Sequence, residues 1–171
     1  KGNADKRIDV IATMITMNGT IEDLKELELT YSPMFSTAKD VVNMAALVAT
    51  NILENRFKQI HVDEVRALVE KDAYILDVRE VGEFANGHIK NAVNIPLSEL
   101  RERMNEIPKE RTIYVHCRSA QRSYNAVMAL LHNGYENVYN VSGSFLGICL
   151  YEYFNDQTKN REPIVTQYNF R

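Results

Sequence analysis

The stretch Val115-His116-Cys117-Arg118-Ser119-Ala120-Gln121-Arg122-Ser123 has the residue types and spacing of a reaction centre. An apolar run over 112–115 predicts a buried strand that delivers Cys117 at its C-terminal end, and the pattern from about Gln121 predicts a helix. In an open α/β sheet that edge is where ligands bind. The amides of the loop and the N-terminus of the helix would point back at the sulfur, and Arg118 and Arg122 would add positive charge. All three favour thiolate over thiol, and such surroundings lower a cysteine pKa to ~3.5–7.5. A thiolate is a nucleophile that can take up a sulfur atom and hold it as a persulfide. The competing reading of Cys117 is a small buried hydrophobe, which the strand-end position and the two arginines oppose. Cations at a helix start oppose its dipole unless an anion is held there.

Other reactive side chains are less well placed. Cys149 lies between Ile148 and Leu150 on a predicted closing helix and reads as buried packing, with a resolving thiol the weaker alternative. His116 precedes the nucleophile on a strand, so its side chain is expected to face away from it. His61 and His132 read as surface or packing residues, and no His/Cys cluster has metal-ligand spacing.

The elements that must position Cys117 alternate between strand and helix. Strands are predicted at 73–76, 92–95, 112–115 and 138–141, and helices at 62–71, 98–104, 121–133 and 145–154. That alternation implies a mainly parallel sheet with helices on both faces, an α/β fold. The polar stretch 155–171 has no clear period and reads as a surface tail. Before residue 56 the pattern is helical. Ile8, Ile11 and Ile15 fall at helical spacing, Thr20-Ile21-Glu22-Asp23 reads as a capping box opening a helix to Leu27, and 41–53 is a helix apolar nearly all round. Between them Tyr31-Ser32-Pro33-Met34-Phe35 reads as an extended break, because proline removes a donor and restricts Ser32. The first 55 residues carry too much apolar surface to be expected to fold alone, so they call for a partner.

Of 171 residues, 45% are apolar and 25% charged, with a net charge of −3, which is an ordinary globular composition. No basic stripe points to nucleic acid, and no apolar run approaches the ~20 residues of a membrane helix. Two cysteines are too few for a disulfide framework, and the polar opening Lys1-Gly2-Asn3-Ala4-Asp5-Lys6 has neither an initiator Met nor a signal peptide. The expectations are a reducing cytoplasm and a chain cut from something longer.

Two motifs together carry a family resemblance. Cys117 to Ser123 resembles the active-site loop of single-domain rhodaneses. Upstream, Ile75-Leu76-Asp77-Val78-Arg79-Glu80, Glu83-Phe84, Gly87-His88-Ile89 and Ala92-Val93-Asn94-Ile95-Pro96 are similar to that family's first signature in order and spacing. The resemblance implies a rhodanese fold over 56–155, Cys117 as sulfur carrier, Arg118, Ser119, Ala120, Gln121, Arg122 and Ser123 as the persulfide-binding loop, and Asp77, Arg79 and His88 as its supporting polar network. It also implies sulfur donors (polysulfide, persulfide or thiosulfate) and thiol acceptors as partners. Related cell-cycle phosphatases need the loop Arg one place later, where Ser123 stands, so the loop length speaks against a Cys-based phosphatase or arsenate reductase. The remaining alternative is a non-catalytic rhodanese-like docking or dimerisation module, which would be expected to lack the Cys. Three departures stand out: Ala120 where the family often has Gly, Asn91 where Gly is common, and Val141-Ser142-Gly143-Ser144-Phe145 in place of the usual Gly-Gly.

The first 55 residues add a second resemblance. Asp5-Lys6-Arg7-Ile8-Asp9-Val10 and the run from Leu29 to Ala45 are similar to the end of the interface domain of flavin-dependent pyridine-nucleotide disulfide oxidoreductases, above all coenzyme A-disulfide reductases and NADH oxidases. The chain therefore resembles the C-terminal piece of a coenzyme A-disulfide reductase–rhodanese fusion. That implies FAD, NAD(P)H and coenzyme A for the full-length parent, N-terminal flavoprotein domains as partners, and a homodimer through 41–53. In that family the Tyr at the position of Tyr31 approaches the partner subunit's active site, which implies a role in positioning a thiol or persulfide, with interface packing as the equal alternative. Seven glycines and no G-x-G-x-x-G fingerprint mean that no cofactor is expected within these residues.

Overall fold

The computed structural model describes residues 4–32, 34 and 37–170. The chain divides into two compact units, Lys1–Arg56 and Phe57–Arg171.

The first unit is helical. Helix α1 spans Ala4–Thr16, α2 Ile21–Glu26 and α3 Val41–Leu53. The capping box at Thr20 forms: its hydroxyl accepts from the Asp23 amide at 3.1 Å and its own amide donates to the Asp23 carboxylate at 2.8 Å. Asp40 caps α3 by accepting from the Val42 amide and receives the Arg7 guanidinium of α1 at 2.7 Å. Asn43, buried on α3, donates to the carbonyls of Leu24, Lys25 and Leu27 and so satisfies the exposed C-terminal end of α2. Much of the apolar surface stays open, with Ile8, Ile15, Val48 and Leu53 all exposed. Of the expected extended break, Pro33, Phe35 and Ser36 lie outside the described residues.

The second unit is built on five parallel strands: β1 Lys58–Ile60, β2 Tyr74–Asp77, β3 Val93–Asn94, β4 Ile113–His116 and β5 Val138–Val141, in the order β1-β5-β4-β2-β3. Its helices are α4 Val65–Glu70, α5 Val81–Ala85, α6 Gln121–His132 and α7 Ser144–Lys159. Side chains alternate across the pleat. Ile75, Tyr114, Tyr139 and Val141 join Val65, Phe145, Ile148 and Cys149 in one core, while α6 packs over β4 and β5 on the opposite face with Ala126, Val127 and Leu130 buried. Cys149 is thus a packing residue, and burial pushes its thiol up. Because all strands run the same way, Asp77, Asn94 and His116 end on one edge, in register across β3, β2 and β4.

Three expectations need correction. The segment 155–171 is not a surface tail. Helix α7 continues to Lys159, Ile164 and Val165 are 4% and 2% exposed in the core, and Val165 bridges to Ile89. Polar partners hold the rest of this segment: Arg66 and Arg161 pair with the buried carboxylates Glu152 and Asp156, and the Tyr168 hydroxyl donates to Asp156. Residues 98–104 form successive turns rather than a helix, because the amides of Glu99, Leu100 and Glu102 bond three residues back, before a 3₁₀ turn at Met104–Glu106. The amphipathic stretch 62–71 begins as a 3₁₀ turn at Val62–Glu64 before α4.

Candidate active site

Cys117 lies one residue past β4, on the edge where the parallel strands end. The chain then bends and enters α6 at Gln121 through Ala120, whose φ of 75° is left-handed. That bend turns the first amides of α6 toward the sulfur. Alanine has no side chain with which to cap them, and no side-chain cap hydrogen bond forms. Cys117 is 1% exposed, so burial pulls its pKa upward; the amides of Ser123 and Ser119 and the hydroxyls of Ser123 and Ser144 outweigh it, and the net shift is downward. The sulfur thus lies buried among donors that favour its ionised form.

The loop is fixed from below by the turn into α7. The amide of Phe145 donates to the Cys117 carbonyl at 3.0 Å and that of Leu146 to the Arg118 carbonyl at 3.2 Å. The Cys117 amide donates to the Ser144 hydroxyl at 3.2 Å. Sequence patterning marked Val141–Phe145 only as a departure and gave Ser144 no role; the signal was a serine where the resembled family has glycine.

The two arginines are placed otherwise than charge counting suggests. Arg122 forms a double hydrogen bond with Glu83 of α5, at 2.6 and 2.8 Å, and that contact holds the Glu83 carboxyl low. Arg118 donates to the carbonyl of Asn169 at 3.1 Å. The thiolate therefore rests on amides and hydroxyls, while Arg122 adds only a longer-range field from a neutralised pair. Arg122 instead ties the start of α6 to α5, and Arg118 ties the loop to the C-terminal segment. Gln121 and Ser119 are exposed at the loop's rim.

Asp77, Arg79 and His116 form a buried layer at the ends of β2 and β4. Arg79 donates to both oxygens of Asp77 at 2.6–3.0 Å and to the Gly87 carbonyl at 2.8 Å, and its guanidinium stacks 3.9 Å from the Phe145 ring. His116 is wholly buried, 3.6 Å from Asp77, with Nδ1 3.3 Å from the Cys117 carbonyl oxygen. Burial holds its pKa below the ordinary value, so the ring is neutral. His88 stacks on Phe84 and meets the Phe84 carbonyl and the Thr166 hydroxyl. Its described contacts are thus with α5 and the C-terminal segment, not with Asp77 or Arg79. That segment closes tightly here: a Cβ on Gly87, whose φ is +121°, would meet the Gln167 carbonyl oxygen at 2.4 Å. Tyr31 belongs to the first unit and is 51% exposed. Among the described residues no cluster of His, Cys, Asp or Glu could hold a metal ion, and no helix is long and apolar enough to cross a membrane.

A five-stranded parallel sheet that delivers a buried cysteine into a loop of amides defines an α/β domain with a thiol at the C-terminal edge of its strands. The description "Rhodanese-like domain" matches residues 61–150. The chain belongs to the rhodanese-like family. A sulfurtransferase of Allochromatium vinosum is 38% identical over 76 residues, covering 44% of this chain and 71% of the relative. Among solved structures, reduced CoADR-RHD of Bacillus anthracis is 45% identical with a TM-score of 0.79, covering 82% of this chain and 25% of that one. A NAD-dependent persulfide reductase from A. fulgidus is 40% identical with a TM-score of 0.75, covering 84% of this chain and 25% of that one. The chain thus spans a quarter of the length of these two solved relatives.

Proposed function

We propose that Cys117 carries sulfane sulfur as a persulfide within a protein of the coenzyme A-disulfide or persulfide reductase type. The observation that supports this reading is the buried Cys117 thiol, acidified by the amides of Ser119 and Ser123 and by two serine hydroxyls. The Cys117 thiolate attacks the outer sulfur of a persulfide or polysulfide; a new S–S bond forms, the donor's S–S bond breaks, and its electron pair leaves on the donor thiolate. An acceptor thiolate then takes the outer sulfur, and the Cys117 thiolate is the leaving group. There is no net redox change, so the domain needs no reductant for this exchange. The loop amides stabilise the negative charge at each stage without reorganising.

The two solved relatives that match on both sides of residue 56 support placing this exchange beside a flavoprotein reductase. These residues do not fit a dinucleotide: the turn after β2 holds the buried Asp77–Arg79 pair, and no glycine-rich fingerprint occurs. FAD, NAD(P)H and coenzyme A would therefore be held elsewhere in the parent, where they would supply the reduction of a persulfide to sulfide. Tyr31 and α3 would then contribute to a homodimer and its thiol site.

Intact mass after polysulfide or thiosulfate tests the carrier role. The natural protein gains one sulfur that cyanide removes, and Cys117→Ala gains none; equal labelling of both sinks the assignment. Alkylation of Cys117 rises with pH to a plateau whose midpoint lies below that of the same cysteine in the urea-unfolded chain. Turnover of an aryl phosphate would move a phosphatase ahead.

A further inference from the structure

Ser144 is an unusual residue in its place. It opens α7 with φ 48°, directly after Gly143 with φ 79°, and it is fully buried. Two successive left-handed residues suit glycine, which takes that conformation without steric cost; serine does not. A strained, buried polar residue at the base of a site is an outlier that calls for a use.

The geometry around its hydroxyl supplies one. The Cys117 amide donates to Ser144 Oγ at 3.2 Å, which pins the oxygen beneath the nucleophile. The single hydroxyl proton then has three acceptors in reach: the Val141 carbonyl at 3.2 Å, Ser123 Oγ at 3.4 Å and Cys117 Sγ at 3.9 Å. The Ser123 hydroxyl has its one proton for the Ala120 carbonyl at 3.2 Å or for the sulfur, and its lone pairs can accept from Ser144. The distance to sulfur is long for a neutral thiol, a weak acceptor, and the carbonyl is the better partner in that state. Once the thiol ionises, the sulfur carries the charge and outcompetes the carbonyl.

We propose that Ser144 is a hydrogen-bond donor to the reacting sulfur, whose hydroxyl turns from the Val141 carbonyl to Cys117 Sγ when the thiolate forms. This deepens the sulfur-carrier reading and rests on it for its purpose. The Cys117 thiolate is the attacking group during loading and the leaving group during unloading, so one hydroxyl assists both. No proton leaves Ser144; only the direction of its O–H bond changes. The device also gives the serine's left-handed backbone a use, because in that turn Oγ lies under the loop.

The test is a thiolate titration of Cys117, by alkylation rate against pH, in the natural protein, Ser144→Ala and Ser144→Gly, with Cys117→Ala as the blank. Both Ser144 variants lose the hydroxyl and the acceptor of the Cys117 amide, but Ser144→Gly relieves the left-handed backbone, so a shift shared by both is not due to backbone strain. The expected result is an upward shift of about half to one pKa unit in both. Cyanide removal of a loaded sulfur slows in both, and Ser144→Gly, relieved of the left-handed strain, melts above Ser144→Ala. An unshifted titration in either variant overturns the proposal. The titration needs no sulfur donor, so a shifted pKa with no sulfur uptake would refute the carrier role and leave the hydroxyl's role standing.

Discussion

Replacing Ala120 with glycine tests whether the loop around Cys117 holds backbone strain. Ala120 has φ 75° and ψ −8°, and an L-residue with a Cβ takes that conformation at a cost of about 1–2 kcal/mol. Glycine removes that cost but has more freedom in the unfolded chain, which returns about 0.5–1 kcal/mol. No side-chain cap hydrogen bond is lost, because alanine makes none. The net expectation for Ala120→Gly is a gain of about 0.5–1 kcal/mol, or roughly 2–5 °C in Tm for a unit of this size. Calorimetry of the intact chain reads the shift, and urea unfolding checks that the midpoint moves without a change of slope. Ala120→Val serves as the opposite control and is expected to lower Tm. A lower Tm for Ala120→Gly would show that the Ala120 methyl packs to more effect than its backbone is strained.

Two further substitutions probe the frame. Asp77→Asn keeps an amide oxygen that can accept from Arg79 but removes the one charge paired with it in the core, and a loss of about 3–5 kcal/mol is expected in urea unfolding; a loss under about 1 kcal/mol would mean that the pair is not what neutralises Arg79. Gly87→Ala combines a forbidden φ with a clash against the Gln167 carbonyl, so about 1–3 kcal/mol is lost and proteolysis is expected first near Gln167. Unchanged protection there would refute the close packing of that segment.

What could be read from the sequence was local. The run Ile113-Tyr114-Val115-His116 and the small-residue loop after it announce a buried strand ending at a cysteine, and β5 and α6 form where their patterns place them. Asn91 takes the positive φ its side chain tolerates. Failures came where a partner lies far along the chain. Strand β1 is three residues at a sheet edge, too short to show a period, and it exists because β5 pairs with it. Ile164 and Val165 are a lone apolar pair in polar sequence, and only the folded chain shows that Ile89 and α7 receive them. Arg122 looked like a charge for the sulfur because Glu83 is 39 residues away. His116 has described ring contacts with Asp77, Phe145 and the Cys117 carbonyl rather than the sulfur, in keeping with its place on the strand, but its partner Asp77 at the end of β2 is one that no local spacing reveals.

The dependence of the Cys117 loop on residues that follow it sets a timetable during synthesis. Cys117 leaves the ribosome before Ser144, and Arg118 precedes its anchor Asn169 by 51 residues. At about 5–20 residues per second that interval is about 3–10 s. Until Ser144 is made and packed beneath the loop, Cys117 lacks part of the donor set that lowers its pKa, and until Asn169 follows, Arg118 lacks its anchor. The sulfur's acidification is therefore complete only after the start of α7 has formed beneath the loop, later in synthesis than the cysteine itself.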